Sequence, residues 1–142
     1  MADIERPLWW TILNRSSGWT HASWRKIVIL YAFDVDHTLS VSAGPIALDS
    51  VRALREAGHI TGLCGNWAVV TRTVQAWWDL FSFLGPLSMT KADFLRHLAT
   101  YVPATEYVMV GNDGGGLSED AGAAKEAGWR FISERDFAGG RR

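Results

Sequence analysis

The sequence predicts an α/β fold in which a parallel sheet of about five strands is covered by helices on both faces. Three observations carry that expectation. Ile27 to Phe33, the first half of KIVILYAFDVDHTLS (Lys26 to Ser40), is an apolar run rich in β-branched and aromatic side chains, the pattern of a strand buried on both faces. Down the chain, short apolar runs alternate with stretches of helical spacing, an order that calls for parallel pairing through right-handed crossovers. Polar residues gather where the strands should end: Asp34 and Asp36, then Cys64, then Asn112 and Asp113. Open parallel sheets bind ligands outside the carboxyl ends of their strands, so this shared placement points to a site.

Residues 1–24 (MADIERPLWWTILNRSSGWTHASW) form a Trp-rich extension before the first strand. The apolar run Leu8 to Leu13 is too short and interrupted for a signal peptide or a membrane span, so a soluble, cytoplasmic protein without a membrane partner is expected. Trp9, Trp10, Trp19 and Trp24 are expected to dock on the body or meet a second copy of the chain, because left exposed they would be sticky. The folded domain is expected over 25–137, with a polar, frayed tail at 138–142.

After the acidic pair, Leu39 to Pro45 (LSVSAGP) reads as a loop or tight hairpin over the strand end. Ile46 to Ala57 spaces Leu48, Val51 and Leu54 as a helix, and Gly58 stops it. His59 to Cys64 is the second strand, followed by a Gly65-Asn66 turn whose asparagine can cap the next helix. Trp67 to Leu80 predicts one long amphipathic helix, with Trp67, Val70, Val74, Trp77 and Phe81 at three- and four-residue steps. Phe81 to Leu84 is the third strand, ended by Gly85 and Pro86. Thr90 and Asp93 form a capping-box pattern opening a helix that should bury Phe94, Leu95, Leu98 and Tyr101. Glu106 to Gly111 is the fourth strand, Asp120 to Ala127 a small-residue helix stopped by Gly128, and Trp129 to Ile132 the fifth strand.

Composition narrows the function. With 142 residues the chain suits one domain with a real core. A net charge of −1 and a pI near 6.4 give no overall basic field, so nucleic acid is not indicated as a partner. The single cysteine, Cys64, excludes an internal disulfide and any multi-cysteine zinc site, in keeping with a reducing compartment. Eight tryptophans are more than a small core needs, which leaves some for an interface.

The acidic pair is the chemical centre of the sequence. Asp34 and Asp36 flank Val35, and side chains two apart on extended backbone point the same way. Two like charges a few ångströms apart are unfavourable unless a cation or hydrogen-bond donors compensate, which suggests a metal.

D-V-D-H-T (Asp34 to Thr38) after a buried first strand, a lysine (Lys91) opening a helix, and G-N-D (Gly111 to Asp113) followed by D-A-G-A-A-K-E-A-G (Asp120 to Gly128) together resemble the haloacid dehalogenase superfamily over about residues 26–137. The resemblance implies a three-layer α/β/α Rossmann-like fold and a Mg2+-dependent phosphohydrolase. Its substrate would be a phosphorylated small molecule or a macromolecular phosphate. Asp34 would be the nucleophile that forms an aspartyl phosphate, Asp36 the general acid and base, and Lys91 the neutraliser of phosphate charge. Metal ligands would come from Asp34, Asp36 through its backbone carbonyl, and Asp113 or Asn112, with Asp120 holding a metal water or capping its helix.

The sequence departs from the family pattern in two ways. Cys64 stands where relatives carry Ser or Thr to bind phosphate, and a thiol is a poorer donor; either phosphate binding survives with altered strength, with Gly65 and Asn66 presenting N–H groups and an amide to the anion, or Cys64 is a small buried filler. His37 stands where many relatives carry glycine and is expected to face water. No segment is long enough for a cap domain, so the chain resembles a capless member. A non-catalytic binding module on the same fold is the alternative. A phospho-accepting receiver domain is disfavoured because Phe81 to Gly85 offers no acceptor aspartate.

Overall fold

Strand β1 (Ile29–Phe33) lies at the centre of a five-stranded, all-parallel sheet, as its unbroken apolar sequence predicts. The computed structural model describes residues 26–113 and 119–142. Along those residues the chain runs through α1 (Leu48–Glu56), β2 (Ile60–Cys64), α2 (Trp67–Thr73), β3 (Leu84–Gly85) and α3 (Lys91–Tyr101), then β4 (Glu106–Gly111), α4 (Glu119–Ala127), β5 (Arg130–Ser133) and α5 (Glu134–Ala138). The sheet order is β3-β2-β1-β4-β5, so the order in which strands are added reverses at β1, whose two neighbours are β2 and β4. Phe33 stands in register with Leu63 on one side and Val110 on the other, which levels the carboxyl ends of three strands.

Alternation along the strands sorts the core into two layers. Tyr31, Phe33 and Val35 pack with Val51 and Leu54 of α1, Val70 of α2 and Phe137 of α5. Leu30 and Ala32 pack on the other face with Leu95 and Leu98 of α3 and Ala123 and Ala124 of α4. Helices therefore cover both faces, an arrangement compatible with a Rossmann-like three-layer fold. Thr90 caps α3 as the Thr90/Asp93 pattern predicts, its hydroxyl accepting from Asp93 N at 3.1 Å. Among the described residues no helix is long and apolar enough to cross a membrane. The N-terminal tryptophans, and the docking or oligomeric role expected of them, lie outside the described residues.

Four local expectations are corrected. The helix predicted over Trp67 to Leu80 ends at Thr73; Val74 is extended, Ala76 takes a left-handed φ of 56°, and a 3-10 turn follows at Trp77–Asp79. Its interior is rich in β-branched residues, and the Thr71 and Thr73 hydroxyls donate back to the carbonyls of Ala68 and Val69, both of which weaken a helix. Val74 and Trp77 still pack on the core, so the periodicity was real while the geometry was not. The third strand is centred later, at Leu84–Gly85, although Ser82 N already donates to Thr61 O at 2.7 Å.

Tyr101 is 70% exposed and lies against His97 at 4.6 Å between ring centroids, because the helix turns its last residue outward past the core. The C-terminus is tied down instead of frayed. Ser133 caps α5, Phe137 is buried edge-on to Phe33, the Arg142 guanidinium covers the Phe137 ring at 4.0 Å, and Arg130 Nη1 donates to the Arg142 carbonyl at 2.8 Å.

Candidate functional site

The sheet ladder extends one residue past β1, with Asp34 N donating to Val110 O at 2.8 Å, so Asp34 is fixed at the sheet edge between β2 and β4. Its carboxylate is nearly buried, at 8% exposure for the residue. Lys91, the first residue of α3, reaches it with Nζ at 3.1 Å from Oδ1 and holds Asp120 Oδ1 at 2.6 Å with the same nitrogen. Asp120, in the first turn of α4, is 4% exposed and also accepts the Asn112 backbone N–H on Oδ2 at 3.1 Å. Segments remote in sequence thus converge on one ammonium at the carboxyl edge of the sheet.

Two glycines make room for the carboxylates. A Cβ at Gly65 would overlap Asp34 Oδ1, and one at Gly111 would come within 2.5 Å of Asp120 Oδ2. Any larger residue at either position displaces an acid. Neither contact is visible from local sequence, since each glycine reads there only as a turn or a strand end.

Asp36 belongs to the rim. It is exposed, its Oδ1 accepts the Ser42 hydroxyl at 2.6 Å, and its Oδ2 accepts Asn66 Nδ2 at 3.2 Å. Asn66 therefore secures the acidic loop and makes no side-chain cap to α2, contrary to the expected capping role. Ser42 escaped the sequence reading; a serine in a small-residue loop carried no signal. Thr38 is fully buried and its hydroxyl lies 3.4 Å from the Asp36 carbonyl, ordering the loop. His37 is exposed and sits at φ 56°, a left-handed backbone that favours glycine.

Burial and hydrogen bonding set the two carboxylates of the D-V-D pair apart. Burial, reinforced by the charge of Asp120, lifts the Asp34 carboxyl from 3.8 to about 6 in spite of Lys91. The Ser42 hydroxyl, helped by Asn66, holds Asp36 below the ordinary carboxylate range. Burial opposes the charge of Lys91, but the Asp120 hydrogen bond and the Asp34 charge outweigh it and the ammonium is held above its usual pKa. One ammonium between two buried carboxylates leaves this centre short of positive charge.

Cys64 ends β2 fully buried in the apolar layer with Leu30, Ala32, Ala92 and Leu95. Burial pushes its thiol up to about 12, so it is a neutral packing group at ordinary pH. Asn112 and Asp113 follow β4 directly and are half-buried, one strand over from Asp34. Among the described residues no three His, Cys, Asp or Glu side chains are arranged to share one ion. The donors nearest the deficit are nonetheless hard oxygens, the type magnesium takes, and the deficit itself is what a divalent cation would relieve. The structure therefore brings together Asp34, Lys91 and Asp120 in the interior, and Asp36 with Asn66 at the rim.

The chain matches no family model, no curated protein and no solved structure. The class defined by fold and geometry alone is an α/β domain with an acid-lysine-acid centre at the carboxyl edge of a parallel sheet.

Proposed function

We propose that this chain is a Mg2+-dependent phosphomonoesterase of haloacid dehalogenase type, acting through an aspartyl phosphate on Asp34. The observation that carries the reading is the Lys91 ammonium bridging Asp34 and Asp120 at 3.1 and 2.6 Å, at the edge of the sheet where such ligands bind. A structural ion pair needs one carboxylate; a second, buried beside the first, costs free energy unless the charge has a use.

In this account Asp34 attacks phosphorus with one carboxylate oxygen while Lys91 offsets charge on the other and on the transferred group. The bond from phosphorus to the leaving oxygen breaks, and Asp36 supplies that oxygen's proton. Asp36 then takes a proton from the water that hydrolyses the acyl phosphate, restoring Asp34 and releasing phosphate. Asp36 is ionised at rest, and the approach of a phosphate dianion raises its affinity for the proton it must donate. Asp120 positions Lys91 and, through the Asn112 N–H, the start of the loop after β4. Magnesium, held by the Asp34 carboxylate, the Asp36 carbonyl and Asp113 or Asn112, would supply the missing positive charge on the phosphoryl oxygens.

Hydrolysis of p-nitrophenyl phosphate and of a panel of phosphorylated metabolites with magnesium tests this reading. Turnover by the wild type, abolished in Asp34→Asn, is expected. No turnover would replace it with a binding module of the same fold, and equal turnover by the variant would remove Asp34 as the nucleophile and the aspartyl phosphate with it.

A further inference from the structure

Glu134 opens α5 and is 7% exposed, yet its Oε2 atom has no hydrogen-bond partner among the described residues. It also enters none of their ion pairs. A carboxylate taken out of water is costly unless a donor or a cation meets it. Helix capping does not account for the burial. Ser133 already caps α5 by accepting from Asp136 N at 3.2 Å, and Asp136, in the same turn, stays exposed in an ion pair with Arg141.

Two packing relations bring Glu134 to the edge of the sheet that holds Asp34. Ser133, the residue before it, stands in register with Gly111, so Glu134 leaves β5 level with the Asn112–Asp113 exit from β4. Along α5, Glu134 and Phe137 are three residues apart and share a face, and Phe137 lies edge-on to Phe33 with ring centroids 5.3 Å apart. Phe33 immediately precedes Asp34. Since α5 runs back from the carboxyl edge, Glu134 is its residue nearest that edge, about 4.5 Å along the axis beyond Phe137. It approaches from the α1, α2 and α5 face, whereas Lys91 and Asp120 come from the α3 and α4 face.

We propose that Glu134 is a positioning residue for the magnesium ion, accepting a hydrogen bond on Oε2 from a water of the ion's hydration shell. The proposal rests on the phosphomonoesterase reading. Direct ligation is not the role, because β5 lies two strands from β1, about 10 Å at the usual strand spacing. Among the described residues, moreover, no three acids are arranged to share one ion. Magnesium gives up its waters reluctantly and keeps several when carboxylates supply only one or two bonds, so an acid beyond bonding range meets water instead. That contact satisfies the orphaned oxygen and orients the ion's remaining ligands.

Titration calorimetry of the full chain with magnesium chloride tests the role without requiring turnover, with thermal unfolding of the metal-free protein alongside. Glu134→Gln keeps the shape and removes the charge. It should weaken magnesium binding about tenfold and raise the metal-free unfolding midpoint, because a buried charge without a partner is gone. A carboxylate that served only the fold would move that midpoint down. Asp136→Asn removes the same charge two residues away and should leave magnesium affinity at the wild-type value. Unchanged affinity in Glu134→Gln, an equal loss in Asp136→Asn, or a lowered metal-free midpoint in Glu134→Gln would overturn the role of Glu134 alone. Failure of the wild type to bind magnesium would overturn the magnesium-dependent reading and this role with it.

Discussion

Lys91 Nζ stands 3.1 Å from Asp34 Oδ1, joining residues 57 positions apart in sequence. The contact is possible because Thr90 starts α3 immediately before the lysine, while the β1–β4 ladder runs on to Asp34 and fixes its backbone. Since the same ammonium serves Asp120, removing it leaves two buried carboxylates facing each other.

Lys91→Met is therefore expected to lower stability by about 3 kcal/mol at neutral pH, the order found when a buried ion pair loses one partner. Denaturant unfolding with the Lys91→Met, Asp120→Asn double variant checks the cause. Recovery of part of the loss in the double variant identifies charge repulsion; no recovery would assign the effect to packing.

The raised Asp34 pKa makes stability depend on pH with a definite sign. The folded carboxyl titrates at about 6 and the unfolded one near 3.8, so the folded state holds the extra proton between those values. This contribution is fully present below 3.8 and is lost as pH rises through about 6. Magnesium favours the ionised form, so its stabilising effect should grow across the same window. Thermal unfolding from pH 4 to pH 8, with and without magnesium, reads both trends, and Asp34→Asn should remove this contribution to the pH dependence.

Gly65→Ala places a methyl group where Asp34 Oδ1 now lies. The fold can absorb this by turning the carboxylate, but the proposed nucleophile then leaves its position. Turnover should fall by about a hundredfold, the scale of an ångström's misplacement, with the unfolding midpoint little changed. Activity close to wild type would remove Asp34 from the reaction centre.

Cys64 gives the opposite expectation. A buried thiol with a pKa near 12 should resist thiol reagents in the native protein and react only after unfolding. Cys64→Ala should leave phosphonate affinity unchanged while costing about 1 kcal/mol of packing. Weakened binding in that variant would return the thiol to the phosphate site.

His37→Gly relieves a left-handed residue and should stabilise the protein by about 0.5 kcal/mol, measurable by denaturant unfolding.

The sheet was legible because β1 is a continuous apolar run and polar residues gather just past the carboxyl ends of β1 and β4. β1, β2 and β4 needed no knowledge of their partners. The helix expected over Trp67 to Leu80 was not, since spacing records which side chains face the core and is silent on the backbone reversal at Ala76. The buried Phe137 escaped because its charged neighbours hide a single aromatic anchor.

In the site, Asp34, Asp36 and Lys91 could be named from their order along the chain. What Gly65, Gly111 and Ser42 do depends on atoms brought near only by folding. Asp120 was named, but its direct grip on Lys91 was not, because nothing local links the starts of α3 and α4.

Covalent phosphorylation of Asp34 is the central claim, and trapping it is the most direct test. Protein quenched in acid during incubation with magnesium and a radiolabelled phosphomonoester should carry label on the peptide containing Asp34, sensitive to hydroxylamine as an acyl phosphate is. Asp34→Asn should carry none. An unlabelled wild type during active turnover, or a label that persists in Asp34→Asn, would contradict the account.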